Sequence, residues 1–194
     1  MAGPSSMQRK PFWAPVGVAA VSALVAALVM ALLAWLLVTA KSTTVIVVRD
    51  AETASAGAAE AAAPHEAALS SEGRARAELL ARMFGDARLK NRVDAIYVLP
   101  TLATQATALP LAGRLGIKPV VLAPQAPRAW ARRMLREHRG GRILVVAPAD
   151  AAHDLATELS GVPDIPPILP MEFGTMYIVT VPRVGRANLL RVDY

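Results

Sequence analysis

The chain has 194 residues, a formal net charge of +6, a hydrophobic fraction of 54% and a mean hydropathy of +0.38. This length allows one domain plus an appendage, and the hydropathy is high for a soluble domain. The lack of cysteine excludes disulfides, cysteine-ligated zinc and thiol nucleophiles, and a charge this modest, with no basic motif interleaved with aromatics, excludes a nucleic-acid footprint.

Residues 1–11 read as a polar leader carrying Arg9 and Lys10, after which no charge occurs until Lys41. The intervening run predicts a transmembrane helix over residues 12–40. Some 25 to 30 apolar residues rising ~1.5 Å each span ~40 Å, more than the ~30 Å hydrocarbon core requires. Trp13 and Trp35 stand near its ends, where interfacial aromatics anchor a span. A cleaved signal peptide is the competing reading, since Val38-Thr39-Ala40 fits a small-residue cleavage site. The run exceeds the ~7–15 residues of a signal h-region, which favours an uncleaved signal anchor. Arg9 and Lys10 are unopposed by acids, whereas Lys41 and Arg49 are offset by Asp50 and Glu52. The positive-inside bias therefore places the N-terminus in the cytoplasm and residues 41–194 in the periplasm of a bacterial-type inner membrane, as a single-pass protein. Gly17 and the fourfold spacing of Ala19, Ala23, Ala27 and Ala31 suit close approach by a second membrane helix. Abundant alanine gives the same spacing by chance. Membrane lipid and an integral membrane protein are the expected partners.

After Lys41-Ser42 the pattern turns to alternating strands and helices. A strand is predicted over Thr43–Arg49, then an Ala-rich low-complexity stretch from Ala54 to Ala68, then an amphipathic helix to about Phe84 with Ser70 or Ser71 as its N-cap. Next come a strand over Asp94–Leu99, a helix from about Thr101 to Leu115, a strand over Lys118–Leu122 and a helix over Pro127–Arg139. A strand over Arg142–Ala147, a helix from about Ala149 to Leu159, the Pro-rich turn Val162–Pro170 and strands over Met176–Val181 and Asn188–Val192 complete the order. Such alternation implies an α/β three-layer sandwich, a mostly parallel sheet flanked by helices. In the helix from Pro127, Trp130 and Met134 mark an apolar face, while Arg128, Arg132, Arg136 and Arg139 share another, with Arg133 alongside. A basic run of this kind is usually a solvated face; beside a short tether it also suits lipid headgroups or an acidic partner.

The strand Val45–Arg49 followed by Asp50-Ala51-Glu52 resembles the opening strand of the histidine phosphatase (phosphoglycerate-mutase-like) superfamily, which ends in Arg-His-Gly or Arg-His-Ala-Glu. Leu69–Ala77 is similar to that family's Leu-Ser/Thr-x-x-Gly-x-x-Arg-Ala helix start. Asp94–Tyr97 with Pro100, Thr104, Gln105 and Thr107 resembles Ile-Tyr-x-Ser-Pro-x-x-Arg-Thr-x-x-Thr-Ala, and Gly141–Val146 the strand leading to the second catalytic histidine. Glu172–Val181 looks like the closing strands of the small, insert-poor branch. The resemblance implies the corresponding fold over residues 41–194.

The chemistry departs from the resemblance. In the family two arginines neutralise the phosphoryl charge, one histidine attacks phosphorus and an acid protonates the leaving oxygen. Here Arg49 is kept, the nucleophile position is Asp50, the second arginine falls on Ala103 and the second histidine on Pro148. A carboxylate at ~4 Å from a phosphate repels it by ~4 kcal/mol at an effective dielectric near 20. A relic ion pair of Asp50 with Arg49 or another basic residue is the first expectation. An Asp50 acyl phosphate is chemically possible but would call for a metal, and no carboxylate cluster is evident; a pocket for a non-phosphate ligand stands between. Glu52 and Asp150 read as exposed polar residues at strand-to-helix turns. His65, His138 and His153 are misplaced for catalysis and read as surface or interface residues. The chain is thus expected to be a membrane-anchored pseudophosphatase, a binding or structural module and accessory subunit of a membrane complex, with no cofactor and no metal. A membrane-anchored phosphatase of altered mechanism and a ligand-sensing domain are the alternatives.

Overall fold

A computed structural model describes residues 14–39, 41–54, 68–86, 92–123 and 126–194. The chain divides into two units, Met1–Ala40 and Lys41–Tyr194. In the first, α1 (Ala14–Thr39) is a single helix. Its stretch Val18–Leu36, 19 residues with mean hydropathy 2.5, is long and apolar enough to cross a membrane, a test that a signal sequence also passes. Leu24, Leu28 and Met30 are all exposed on it. The one hydroxyl in this stretch, that of Ser22, donates to the Ala19 carbonyl at 3.0 Å, which satisfies it within the helix.

The second unit is built on a six-stranded sheet in the order β3-β2-β4-β1-β5-β6. The strands are β1 (Thr43–Arg49), β2 (Ala95–Val98), β3 (Val120–Val121), β4 (Arg142–Ala147), β5 (Thr175–Val181) and β6 (Asn188–Asp193). The helices are α2 (Ser71–Phe84), α3 (Leu102–Leu115), α4 (Pro127–Glu137) and α5 (Ala149–Ser160). β3, β2, β4 and β1 run parallel; β5 and β6 join antiparallel, so the sheet is mixed. The continuous apolar runs Val45–Val48 and Ile143–Ala147 are buried throughout, as strands covered on both faces must be. Because side chains alternate along a strand, Val45, Val47, Ile143 and Val145 meet Trp130, Met134 and Leu155 of α4 and α5. Ile46, Val48, Leu144 and Val146 meet Leu80 and Leu111 of α2 and α3 on the other face.

Most predicted elements are present with small shifts. The strand expected over Lys118–Leu122 reduces to Val120–Val121, since an edge strand pairs only where β2 is there to receive it. Ser70, rather than Ser71, caps α2 by accepting from Gly73 N at 3.0 Å. Thr101 caps α3 in the same way, accepting from Thr104 N at 3.3 Å. The Ala-rich stretch lies mostly outside the described residues, with His65 in it; its ends meet where Ala54 N donates to Ala68 O at 2.9 Å.

Candidate functional site

In a parallel α/β sheet the place for a site is the edge where the strands end. Arg49 is the last residue of β1, in register with Ala147 of β4, and Asp50 N donates to Ala147 O at 3.0 Å. Asp50 therefore stands beside Pro148, and its side chain is buried. Four of the expected residues, Arg49, Asp50, Glu52 and Pro148, thus share one edge.

Arg49 is committed within the chain. Its Nη1 donates to the Leu169 carbonyl at 2.7 Å, and its guanidinium carbon lies 4.0 Å from the Phe173 ring centroid. Its Nε is buried without a hydrogen-bond partner among the described residues. Burial lowers its pKa, against the attraction of Asp50, Glu52 and Glu172. The charge of Asp50 favours the protonated Arg49, while the arginine's Nη1 hydrogen bond goes to Leu169 within the Pro-rich turn.

Glu52 corrects the sequence reading. It is a part-buried carboxylate held by Arg76, with Nη2 at 2.6 Å and Nε at 3.0 and 3.1 Å from its two oxygens. Burial would raise its pKa, but the Arg76 hydrogen bonds and charge outweigh that and hold it below the ordinary carboxylate value. Arg76 also reaches Tyr194 O at 3.4 Å. Burial pushes the Tyr194 phenol up to about 12. Sequence reasoning missed Arg76 as a site neighbour; the available sign was its place on the first turns of α2, the helix that follows Glu52. Gly73 explains the close approach: a Cβ there would lie 2.1 Å from Glu52 O, so only glycine lets α2 start against that backbone.

Ala103 has no exposed surface and packs with Ala51, Leu69 and Ala77 in a small apolar cluster. Thr107 stitches the cluster together, accepting from Ala51 N at 3.0 Å and donating to Ala103 O at 2.7 Å. Pro148 is half-buried and precedes α5, where its carbonyl accepts from Ala152 N at 2.8 Å. Asp150 is exposed, as expected. Between α2 and α3 a cavity of about 440 Å³ is lined by Leu69, Arg74, Ala77, Glu78, Leu109 and Pro110 among others, and its lining includes neither Arg49 nor Asp50.

The remaining expected residues lie elsewhere. His138 is not a plain surface residue: its Nε2 is 2.9 Å from the hydroxyl of buried Tyr97, which also donates to Glu137 at 2.8 Å. Burial and Glu137 push that phenol up to about 12. His153 is half-buried on α5, with Nδ1 buried and unpartnered among the described residues. On α4, Trp130, Ala131 and Met134 face the core. Arg128 pairs with Glu158 and Arg133 with Glu137, both at 3.0 Å, while Arg132, Arg136 and Arg139 are exposed. Ala19, Ala23, Ala27 and Ala31 are exposed along α1, and the side of Gly17 lies outside the described residues. Among the described residues no three His, Cys, Asp or Glu side chains are grouped to hold a metal.

No protein-family model and no curated protein sequence matches the chain. Solved structures do. SixA from Agrobacterium tumefaciens, a proposed phosphohistidine phosphatase, is 16% identical with a TM-score of 0.57, over 78% of this chain and 98% of that one. A mycobacterial glucosyl-3-phosphoglycerate phosphatase solved with VO3 is 13% identical with a TM-score of 0.59, over 77% and 98%. A proposed alpha-ribazole-5'-P phosphatase from Escherichia coli is 14% identical with a TM-score of 0.58, over 79% and 97%. Residues after α1 therefore have the fold of the histidine phosphatases. The likeness is one of fold, and it covers nearly the whole of each of those proteins.

Proposed function

We propose that the chain is a membrane-anchored pseudophosphatase, held by α1, whose phosphatase-like unit serves as a binding or structural module of an inner-membrane complex on the periplasmic side. The observation that carries this reading is the state of the inherited anion-binding edge. Its one kept arginine is spent on Leu169 and Phe173. The position of the second holds Ala103 inside an apolar cluster, and a carboxylate, Asp50, takes the place of the nucleophile. A phosphate entering there would meet one engaged cation and one like charge. The anchor is supported by the 19-residue apolar stretch and by the unopposed Arg9 and Lys10 before it.

The test is hydrolysis of generic phosphoesters by the full-length protein in detergent, with and without divalent metal. Background rates, unchanged by Asp50→Ala, are expected. Metal-dependent turnover that disappears in Asp50→Ala, with acid-stable label trapped on Asp50, would establish the altered-mechanism phosphatase instead. Gentle-detergent purification from native membranes tests the subunit role: a membrane protein recovered at fixed ratio is expected, and a protein recovered alone removes that part of the proposal.

A further inference from the structure

The sheet has a second edge, opposite the one just described, and its charges have a different character. Chain direction and register place a basic residue there at every strand. Across the sheet in spatial order, Lys118 precedes β3, Arg92 lies just before β2, Arg142 opens β4 and Lys41 precedes β1. Val181 at the end of β5 is in register with Thr43, so Arg183 and Arg186 occupy the β5–β6 turn at this same edge. Arg139 joins them, because Gly140 N donates to Thr43 Oγ1 at 2.9 Å and Thr44 N to Gly141 O at 2.9 Å. Lys41, Arg92, Lys118, Arg139, Arg183 and Arg186 are exposed. One acid, Asp94, stands at this edge, exposed and accepting from Arg142 N at 2.7 Å, so cations outnumber acids there. Six strands at about 4.8 Å spacing make this a row of cations roughly 24 Å wide.

The same edge is the one joined to the apolar helix. α1 ends at Thr39 and β1 begins at Thr43, a link that reaches no more than roughly 14 Å even when fully extended. The far edge stands a further ~20 Å up β1 at ~3.3 Å per residue. Chain connectivity therefore joins α1 to the basic edge and not to the strand-end edge. We infer that this edge is a docking surface for anionic phospholipid headgroups, holding residues 41–194 on the membrane through Lys41, Arg92, Lys118, Arg139, Arg183 and Arg186. Charge complementarity and tethering point to lipid: the covalent link to α1 enters the unit at this edge, which raises the effective concentration of these cations near a membrane, and headgroups are the anions at highest density beside a membrane span. The inference rests on the reading of α1 as a membrane anchor.

The absence of cysteine permits a clean measurement. Val184→Cys in the β5–β6 turn and Met171→Cys at the opposite edge, where the native side chains are 90% and 85% exposed, each give one site for a fluorophore. The labelled full-length protein is placed in nanodiscs of phosphatidylcholine alone or with phosphatidylglycerol, each doped with a headgroup nitroxide quencher. Co-elution with the discs reports anchoring, and quenching reports docking. The expected result is strong quenching at Val184→Cys in anionic discs, weak quenching in neutral discs, and little at Met171→Cys in either. Raising salt to about 1 M should abolish the difference, because the screening length falls to about 3 Å. Arg139→Gln, Arg183→Gln and Arg186→Gln together should reduce the docked-to-undocked ratio roughly 100-fold. Equal quenching in both disc types, or none at Val184→Cys in protein that co-elutes with anionic discs, overturns the docking surface while leaving the anchor intact. Protein that fails to co-elute overturns the anchor itself.

Discussion

At the edge where the parallel strands end, cations are turned inward: Arg49 to Leu169 and Phe173, Arg76 to Glu52, Arg191 to Glu172. At the edge where they begin, Lys41, Arg92, Lys118, Arg139 and Arg186 are exposed and form no ion pair among the described residues. The first arrangement satisfies charge within the chain and leaves little of it for an outside anion. The second leaves charge available at almost no cost in stability, since exposed cations are well solvated. In this fold the place where chemistry is usually done is internally neutralised, and the place usually silent carries the free charge. Function is more reasonably sought where electrostatic potential remains uncompensated.

Substitutions can break or sharpen this contrast, and their expected effects on stability fall in a definite order. The largest lies beneath both edges: Leu144→Ala removes a fully buried side chain from the centre of the sheet and should cost about 2–5 kcal/mol in denaturant unfolding. Gly73→Ala strikes the strand-end edge alone. Its new Cβ would lie 2.1 Å from a backbone oxygen that cannot swing aside, and a loss of about 2–3 kcal/mol is expected by thermal melting.

The Glu52–Arg76 pair comes next. A double-mutant cycle with Glu52→Gln and Arg76→Met should give a coupling of about 1–2 kcal/mol, the range of charge-assisted hydrogen bonds discounted for partial exposure. Its pH dependence has a definite sign. The folded Glu52 pKa lies below its unfolded value, so the pair stabilises fully above the unfolded carboxylate pKa and loses that stabilisation as pH falls through the folded one. Unfolding followed from pH 7 to pH 3 should show a larger acid loss in the native protein than in Glu52→Gln. Arg49→Ala should cost about 1–2 kcal/mol through its lost bond to Leu169 and its stacking on Phe173. An unchanged melt would mean that the arginine is free for ligand after all.

The smallest effect belongs to the strand-start edge. Arg139→Gln or Arg186→Gln should shift unfolding by less than about 0.5 kcal/mol, because both are exposed and neither forms an ion pair among the described residues. A large loss there would show that these cations support the fold and would erase the contrast between the edges.

Much of this protein was legible from one dimension. An uncharged run longer than a bilayer, the β-branched run at Val45–Val48, and hydroxyls at Ser70 and Thr101 ahead of helices act through neighbours a few residues away. Patterns of that range determined α1, the alternation of strands and helices and the resemblance in fold. The departures at Asp50, Ala103 and Pro148 were legible for the same reason, since each is a matter of residue type in a short motif. What lies between distant segments was not. The partner of Arg49 is 120 residues away at Leu169, and that of Glu52 is 24 away on α2, so neither Glu52's burial nor Arg49's engagement has a local signature. His138 reads as a surface or interface residue in sequence because its partner, the Tyr97 hydroxyl, is 41 residues away. The basic edge is the extreme case: its cations are scattered from Lys41 to Arg186, and only insertion of β4 between β2 and β1, with β5 and β6 antiparallel beyond, sets them in one row. The sequence by itself determined the elements, because propensity, capping and hydropathy are properties of contiguous residues. Only the tertiary structure decided which charges are neutralised and which are left facing outward, because charges act through space across whatever distance the fold has closed.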